Sequence, residues 1–348
     1  MITNRLVARL AIALVAFGGA AQGATPLKIV TADQRGTYFA IGADLSKLVA
    51  PAADIDLEVV PTDGSAANIK LLRFEPGVKF AVVQADVYQA FVDRGASANS
   101  EAARIIRPLR VILPLYNTEI HYIVRADSEM NYLHDIKNAK INGGLVGSGA
   151  AFITHTLYKM MFNATVPEAN ASYLSNADAL VKLIGDKSVD VVVVAAGQPA
   201  PIVANMKPEA QKLIKFLKFD PANPASKAAL KVYAPATVRA ASYPNLLKED
   251  FTTVSVGAFL VTYDYNLQTT VDSMTKFARS LCQNFPALQE KGHPKWREVQ
   301  LALPELNPGW TYYQPTAREI RGCLGGKPKS VRSQGNCSAE EKILGLCT

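Results

Sequence analysis

Small polar residues follow several apolar stretches of this sequence, and their spacing limits the chemistry that they could perform. Gly147-Ser148-Gly149 comes directly after one such stretch. A hydrolase nucleophile elbow has the pattern Gly-x-Ser-x-Gly, whereas Val146 and Ala150 occupy its two glycine positions here. A dinucleotide-binding turn needs a third small residue, and Phe152 stands in that place. The tripeptide is therefore either a helix-capping turn or a turn that contacts a ligand.

The titratable residues form no recognisable catalytic set. The four histidines show no metal-ligand spacing: His121, His134, His155 and His293. Asp86 and Asp178 fall in the first turns of predicted helices, where a carboxylate interacts favourably with the helix dipole. Gln84 and Gln198 each end an apolar stretch, where an amide can donate and accept, and Tyr38 adds a planar wall with a polar tip. We therefore expect no metal, no cofactor and a binding protein rather than an enzyme.

The N-terminus has the features of a secretory signal peptide. Arg5 and Arg9 precede apolar residues 10–17, and small residues follow as far as Gly23, the expected cleavage point. The apolar stretch is too short to span a bilayer, and no cysteine stands near the cleavage point to carry a lipid anchor. We expect a soluble periplasmic protein. Removing the two arginines takes the formal charge from +7 to 7 − 2 = +5, and because the basic residues are dispersed, nucleic acid is not an expected partner.

The chain reads as two sets of strand–loop–helix units. Apolar stretches at 27–31, 56–61 and 79–83 are each followed by a small or polar loop and a helical pattern. The apolar stretches of the second set lie at 140–146, 171–174 and 189–196. Such near-continuous apolar strands are typical of parallel sheets covered on both faces. An extended stretch at 109–125 separates the two sets, and another at 253–262 follows the second set. Two lobes joined by two crossings would bring all six loops to one cleft.

Four cysteines lie in the C-terminal part of the chain, and their number is even: Cys282, Cys323, Cys337 and Cys347. In an exported protein this predicts two disulfides. The alternative is a metal site, but the sequence has no Cys-x-x-Cys pair and no histidine among the last three cysteines.

Eight motifs in order resemble the TAXI family, the periplasmic solute receptors of a class of TRAP transporters. They are RGTYFAIG (35–42), TDGSAANIKLL (62–72), VVQADVYQAF (82–91), LYNTEIHYIVRADS (115–128), GSGA (147–150), SYLSNADALVKLI (172–184), VDVVVVAAGQPAP (189–201) and VSVGAFLVT (254–262). The resemblance covers residues 27–315 and ends near NPGWTYY (307–313). The family turn usually reads Gly-Gly-x-Tyr-Tyr, whereas Arg35, Gly36 and Phe39 stand here, and Ala150 replaces the usual threonine.

The resemblance implies an α/β, two-lobe type II periplasmic-binding-protein fold with two hinge crossings, near 115–122 and 252–256. The expected division is a signal peptide (1–23), lobe 1 (24–117 and 253–320), lobe 2 (118–252) and a C-terminal tail (321–348). The implied ligand is a small organic anion, of the glutamate, glutamine or dicarboxylate kind, delivered to TRAP membrane subunits by a monomeric receptor. Four cysteines allow three pairings. Because Cys282 lies on a predicted helix and Cys323 just after the last family motif, we favour a Cys282–Cys323 bridge, which would pin the tail to the body, with Cys337–Cys347 closing a small loop.

The resemblance and the strand-end positions together select the expected ligand-binding residues. Lobe 1 is expected to contribute Arg35, Gly36, Thr37, Tyr38, Ser65 and Gln84, and lobe 2 Ser148, Gly149, Ala150 and Gln198. Ser65 is also placed to cap the helix that it precedes. Hydroxyls and backbone N–H groups at helix starts can solvate a carboxylate, and Arg35 is either a ligand contact or a solvent-facing arginine. A periplasmic sensor or interaction protein on the same fold is the alternative function, and an enzyme on that fold is a weaker one.

Overall fold

The structure is a computed structural model that describes residues 23–95 and 100–325. The expected signal peptide, apart from Gly23, lies outside the described residues, and so do Cys337 and Cys347. Among the described residues, no helix is both long enough and apolar enough to cross a membrane.

Ten strands form one continuous sheet with the order β2-β1-β3-β10-β4-β7-β5-β6, while β8 pairs with β4 and β9 pairs with β10. The strands are β1 (Thr25–Val30), β2 (Ile55–Val60), β3 (Val78–Gln84), β4 (Leu109–Arg125), β5 (Ile141–Asn142), β6 (Ala171–Ser172), β7 (Val191–Ala195), β8 (Ile214–Phe216), β9 (Ala234–Val238) and β10 (Phe251–Tyr263).

Eleven α-helices are present in the described part of the chain. They are α1 (Thr37–Leu48), α2 (Ser65–Phe74), α3 (Ala85–Arg94), α4 (Glu101–Ile106), α5 (Gly149–Phe162), α6 (Asn176–Ile184), α7 (Pro201–Ala204), α8 (Pro208–Gln211), α9 (Ser226–Ala229), α10 (Gln268–Lys291) and α11 (Gln314–Cys323). Short 3₁₀ helices lie at Pro51–Ala53, Leu133–Ile136, Glu168–Asn170, Ala240–Ser242 and Pro294–Glu298.

Two strands run through both halves of the sheet and divide it into two lobes. Strands β4 and β10 are antiparallel, and their pairing extends from Leu109↔Tyr263 to Glu119↔Ser255. The first part of β4 lies in lobe 1, whereas its last residues pair with β7 and β8 in lobe 2. Each lobe has apolar clusters of its own, with Phe80 and Phe277 central to one in lobe 1 and Tyr122 and Leu157 to one in lobe 2. The predicted two-lobe α/β fold of type II is confirmed.

The expectation of parallel sheets holds only for the repeated units. Strands β1, β2 and β3 are mutually parallel, and β5 is parallel to β6 and β7. The crossing strands are antiparallel to their neighbours, because β10 returns the chain from lobe 2 and inserts between β3 and β4. The sheet is therefore mixed.

A disulfide ties the end of the described chain to lobe 1. Cys282 of α10 is bonded to Cys323, the last residue of α11, with a sequence separation of 41. On the same helices, Arg279 donates two hydrogen bonds to Glu319, each 3.2 Å long. The predicted Cys282–Cys323 bridge is confirmed.

Candidate ligand-binding cleft

A cavity lies between the two lobes, beside the crossing strands. Its volume is about 120 Å³, roughly ten times the ~10–15 Å³ that one water molecule needs, so it has room for a small solute. Lobe 1 contributes Ala32, Asp33, Arg35, Gly36, Thr37, Tyr38, Thr62, Asp63, Gly64, Ser65 and Gln84, and lobe 2 contributes Gly144, Leu145, Ser148, Gly149, Ala150, Ser175, Asn176, Val194, Ala195, Ala196, Pro201 and Ile202. Nine of the ten predicted ligand-binding residues are in this lining.

Six α-helices begin at the cavity wall: α1, α2 and α3 from lobe 1, and α5, α6 and α7 from lobe 2. Helices α1 and α2 start after Gly36 and Gly64, neither of which provides a side-chain cap. Helices α5 and α6 start after serines, Ser148 and Ser175, whose hydroxyls accept hydrogen bonds from backbone N–H groups of the first turn. The first N–H groups of an α-helix have no acceptor within the helix and carry a partial positive charge. Their convergence makes the cavity suitable for an anion or for carbonyl oxygens.

The lobes touch across the cleft through glycines. Gly64 has φ +122°, a conformation that L-residues rarely adopt, and a Cβ there would lie 3.3 Å from the Gly149 nitrogen. At Gly149 a Cβ would lie 1.2 Å from Gln84 Oε1. Only a residue without a side chain therefore lets α5 approach lobe 1 this closely, and the structure represents a closed form of the cleft.

Gln84 has a buried amide with an unsatisfied hydrogen-bond donor. Its side chain lies in the cavity lining and is 2% exposed, and its Nε2 has no hydrogen-bond partner. The Ser65 hydroxyl donates to Gln84 Oε1 at 3.5 Å and accepts from the Gln84 backbone N–H at 3.1 Å. Ser65 was expected to cap α2 from the preceding position, which is wrong. It is the first residue of that helix, and its hydroxyl orients Gln84 instead.

Asn176 supplies a complementary unsatisfied group from lobe 2. It is the first residue of α6, and its buried Oδ1 has no hydrogen-bond partner. The cavity wall therefore presents an amide donor from one lobe and an amide acceptor from the other. The sequence analysis placed Asn176 in a loop after an apolar stretch but did not select it, although its position resembles that of Gln84.

Thr37 and Tyr38 begin α1 and are both buried. The Thr37 hydroxyl reaches across the cleft to the backbone carbonyl of Gly197, at 3.5 Å. Burial raises the pKa of the Tyr38 phenol well above its ordinary value, so the phenol stays neutral. Its ring packs edge-on against Tyr116 of the crossing strand, with 6.4 Å between ring centroids. Tyr38 thus forms the expected wall of the cavity.

Arg35 lies at the rim rather than in the buried part of the cleft. Its guanidinium is 3.5 Å from Asp33, and its side chain is 58% exposed. The Arg35 backbone N–H also donates to the Asp33 carboxylate, at 2.8 Å. The rim pairing therefore favours the solvent-facing alternative for this side chain.

Gln198 is the predicted residue that does not line the cavity. Its Nε2 donates to Glu119 at 2.9 Å and to the Thr237 carbonyl at 2.7 Å, and its Oε1 accepts from Arg239 N–H and the Ser242 hydroxyl. The amide is thus fully used within the crossing region. Its position after a strand predicted that Gln198 lies near the cleft, but no local pattern indicates these distant partners.

A buried ionic group adjoins Gln198 at the crossing. Lys295 is fully buried and donates to Glu119 and to Glu298, both at 2.6 Å, and to the Asn117 carbonyl at 3.1 Å. Arg239 of lobe 2 pairs with Glu298 at 3.1 Å. These contacts join the middle of β4 to the segment after α10. The base of the cleft is therefore held by buried ion pairs, in which removal of one partner would leave the other charge uncompensated.

Asp86 forms a contact between the lobes near the cleft. Its carboxylate accepts a hydrogen bond from the Tyr233 hydroxyl of lobe 2 at 3.1 Å and from the Val87 backbone N–H at 2.7 Å. Burial raises the pKa of this carboxyl to about 6, although both hydrogen bonds act in the opposite direction. The position of Asp86 in a first helical turn predicted an interaction with the helix dipole but not this contact with the other lobe.

The two lobes, the crossing strands and the enclosed cavity define a solute-binding fold. Residues 29–303 match the NMT1-like family, and the chain belongs to this family of periplasmic binding proteins.

Several solved structures resemble the chain. A protein of Bordetella bronchiseptica RB50 has a TM-score of 0.50 and 10% sequence identity over 87% of this chain and 98% of its own. The periplasmic binding protein BugD has a TM-score of 0.48 and 13% identity over 86% and 94%. The substrate-binding protein of an amino acid ABC transporter has a TM-score of 0.46 and 15% identity over 77% and 99%. At these identities the likeness concerns the fold alone.

Proposed function

We propose that this protein is a periplasmic receptor that captures a small organic anion between its lobes and delivers it to a TRAP-type membrane transporter. The observation that carries the proposal is the cavity between the lobes, where α1, α2, α5 and α6 begin near the buried, unpartnered amide of Gln84. An unmade hydrogen bond on a buried group is costly, commonly about 1–3 kcal/mol. A ligand oxygen at Gln84 Nε2 would remove that cost.

The helix starts account for the charge of the proposed ligand. Helices α1 and α2 lack side-chain caps, so their first N–H groups are available to carboxylate oxygens. Helix dipoles add a favourable field at the same place without a buried counter-charge. Asn176 Oδ1 is suited to accept from a hydroxyl or N–H group of the ligand, or from a bound water. The arrangement recognises a solute by hydrogen bonds. Ser175 donates to Asp178 at 2.6 Å, but this serine is the N-cap of α6. No histidine or lysine is among the described lining residues, which supports binding rather than catalysis.

The choice of transporter and compartment comes from the sequence. The N-terminal residues with signal-peptide features support export to the periplasm, and the ordered motifs shared with the TAXI family support a TRAP-type partner. Genes for TRAP membrane subunits beside this gene would support that choice, and uptake restored by those subunits together with this receptor would test it directly. If the receptor instead acts only with ABC-type membrane subunits, the solute-binding proposal stands and the TRAP assignment fails.

Ligand capture is tested by mass spectrometry of the gently purified protein, followed by calorimetric titration. We expect an organic anion to co-purify, and Gln84→Ala to weaken its binding. Loss of one neutral hydrogen bond is worth about 0.5–1.5 kcal/mol, or roughly 2- to 10-fold in affinity. Gln300→Ala is the matched control, because Gln300 is exposed and is not part of the cavity lining. Unchanged affinity in both Gln84→Ala and Ser148→Ala would contradict this location of the site.

A further inference from the structure

We infer that the cleft selects a monocarboxylate with an apolar body over a dicarboxylate. The inference rests on the proposed function and narrows its ligand class. In this arrangement the single carboxylate lies at the helix starts near Gln84, and the apolar body lies along the end of β7 and the beginning of α7.

The first argument is the charge of the lining. Among the described lining residues, Arg35 is the only lysine or arginine, and it is paired with Asp33 at the rim. Asp33 and Asp63 are both exposed and negative. The three charges together are net negative, and no charged residue lies in the buried part of this lining. A second carboxylate on the ligand would be removed from water without a cationic partner, which is strongly unfavourable.

The second argument is the apolar wall. Val194 and Ala196 are 2% and 7% exposed, and with Ala195 they bring the end of β7 to the cavity. Pro201 and Ile202 continue this surface at the beginning of α7. None of these side chains can donate a hydrogen bond. Aliphatic surface placed here is removed from water, at a gain of about 25 cal/mol per Å², whereas a carboxylate here would lose its hydration.

The third argument is an outer groove that adjoins the cavity. It is lined by Gln34, Arg35, Gly36, Ala40, Pro201, Ile202, Asn205 and Met206, and its volume is about 370 Å³. Four of these residues also line the cavity: Arg35, Gly36, Pro201 and Ile202. The groove therefore continues the apolar wall outward past Ile202, with Ala40 and Met206 along it. An aliphatic chain longer than the cavity can extend in this direction without meeting a buried charge.

The test compares hexanoate with adipate, which has the same number of carbons and a second carboxylate. Calorimetric titration of the ligand-free mature protein is expected to show hexanoate binding at least tenfold more tightly. Ile202→Ala is expected to weaken hexanoate binding severalfold. Ile202→Lys, which supplies a cation beside the apolar wall, is expected to reduce or reverse the preference. Val181→Lys is the matched control, because Val181 is 70% exposed on α6 and is not part of the lining, and it should leave the preference unchanged.

Adipate binding as tightly as hexanoate, or more tightly, would overturn the inference while supporting an anion receptor. If neither probe binds, the co-purified anion decides: one carboxylate and an aliphatic body uphold the inference, and two carboxylates overturn it. If no anion co-purifies and none binds, the proposed function itself fails, and the inference fails with it. Circular dichroism of each variant confirms that the fold is retained.

Discussion

A single methyl group at Gly149 should prevent the cleft from closing without damaging the fold. Gly149 is the first residue of α5, where alanine is compatible with the backbone, since no positive φ is required there. In the closed form a Cβ at this position would lie 1.2 Å from Gln84 Oε1, whereas Cβ contacts under 3.0 Å essentially never occur. The amide oxygen or the lobe that carries it must therefore move by about 1.8 Å. In an open form the lobes are apart and the methyl group meets nothing.

The size of the effect follows from the bonds that such a movement would break. Displacing Gln84 removes its hydrogen bond with the Ser65 hydroxyl and the proposed bond from its Nε2 to the ligand. Two neutral hydrogen bonds are together worth about 1–3 kcal/mol. At 1.4 kcal/mol for each tenfold change, Gly149→Ala should weaken ligand binding roughly 5- to 150-fold. The stability of the unliganded protein should not fall, because the backbone at Gly149 suits alanine, and replacing glycine by a compatible alanine restricts the unfolded chain, which typically stabilises by about 0.4–1 kcal/mol.

The assay combines calorimetric titration with the co-purified anion and urea unfolding without it. Gly322→Ala is the matched control, since Gly322 lies next to the last residue of α11 and a Cβ there has no neighbour within 4 Å. In the double variant Gln84→Ala/Gly149→Ala the clash is gone, so binding should be no weaker than in Gln84→Ala alone, a non-additivity typical of residues in contact. Wild-type affinity in Gly149→Ala, or strictly additive effects in the double variant, would refute this account of closure.

Three further predictions concern stability. Burial raises the pKa of Asp86 to about 6 in the folded protein, from an ordinary 3.8, so the folded state holds this proton more tightly than the unfolded state does. The resulting stabilisation, at most about 3 kcal/mol, is present below pH 4 and is lost as the pH rises through 6. Asp86→Asn should flatten this part of the curve of unfolding free energy against pH, and an identical slope in both proteins would contradict the prediction. Replacing Cys282 and Cys323 by serine should cost about 4 kcal/mol in urea unfolding, from the 41-residue separation and loop-closure entropy, and an unchanged midpoint would count against a bond formed in solution. Gln198→Ala should lower the unfolding free energy by about 2–4 kcal/mol through its lost buried hydrogen bonds, with little change in ligand affinity; the reverse outcome would return Gln198 to the binding site.

The sequence predicts the framework of the fold because its periodic signals are local. The apolar stretch 109–125 was expected to be one long crossing, and β4 spans these residues. The second crossing, expected at 253–262, is β10, Phe251–Tyr263. The pairing of these strands could not be predicted from the sequence, because the insertion of β10 between β3 and β4 joins residues far apart in the chain. Apolar content indicates burial on both faces but does not give strand direction.

The cleft is partly predictable for the same reason. Residues that follow a strand and begin a helix, such as Thr37, Ser65 and Ser148, lie in the cavity wall because the carboxyl ends of strands share one edge of the sheet. Asn176 satisfied this rule and was overlooked. Gln198 also satisfied it, yet its amide is bound to Glu119, 79 residues away in the sequence. Position can thus be inferred from local pattern, whereas the partners of a side chain depend on long-range packing.

Lys295 shows why the base of the cleft could not be inferred from the sequence. It lies in the charge-rich segment Pro294–Glu298, for which the sequence predicts no role in the site, yet its ammonium is fully buried against Glu119 of the crossing strand. Removing one partner of a buried ion pair leaves the other charge uncompensated, typically at a cost of ~3–5 kcal/mol, so these groups hold one arrangement. By contrast, the cavity wall at the helix starts presents glycines and unsatisfied amides, and the hydrogen bond from Thr37 across the cleft to Gly197 is 3.5 Å long. In the proposed receptor, this division would let the contacts at Gly64, Gly149 and Gln84 be made and broken while Lys295 and its partners hold the crossing in place.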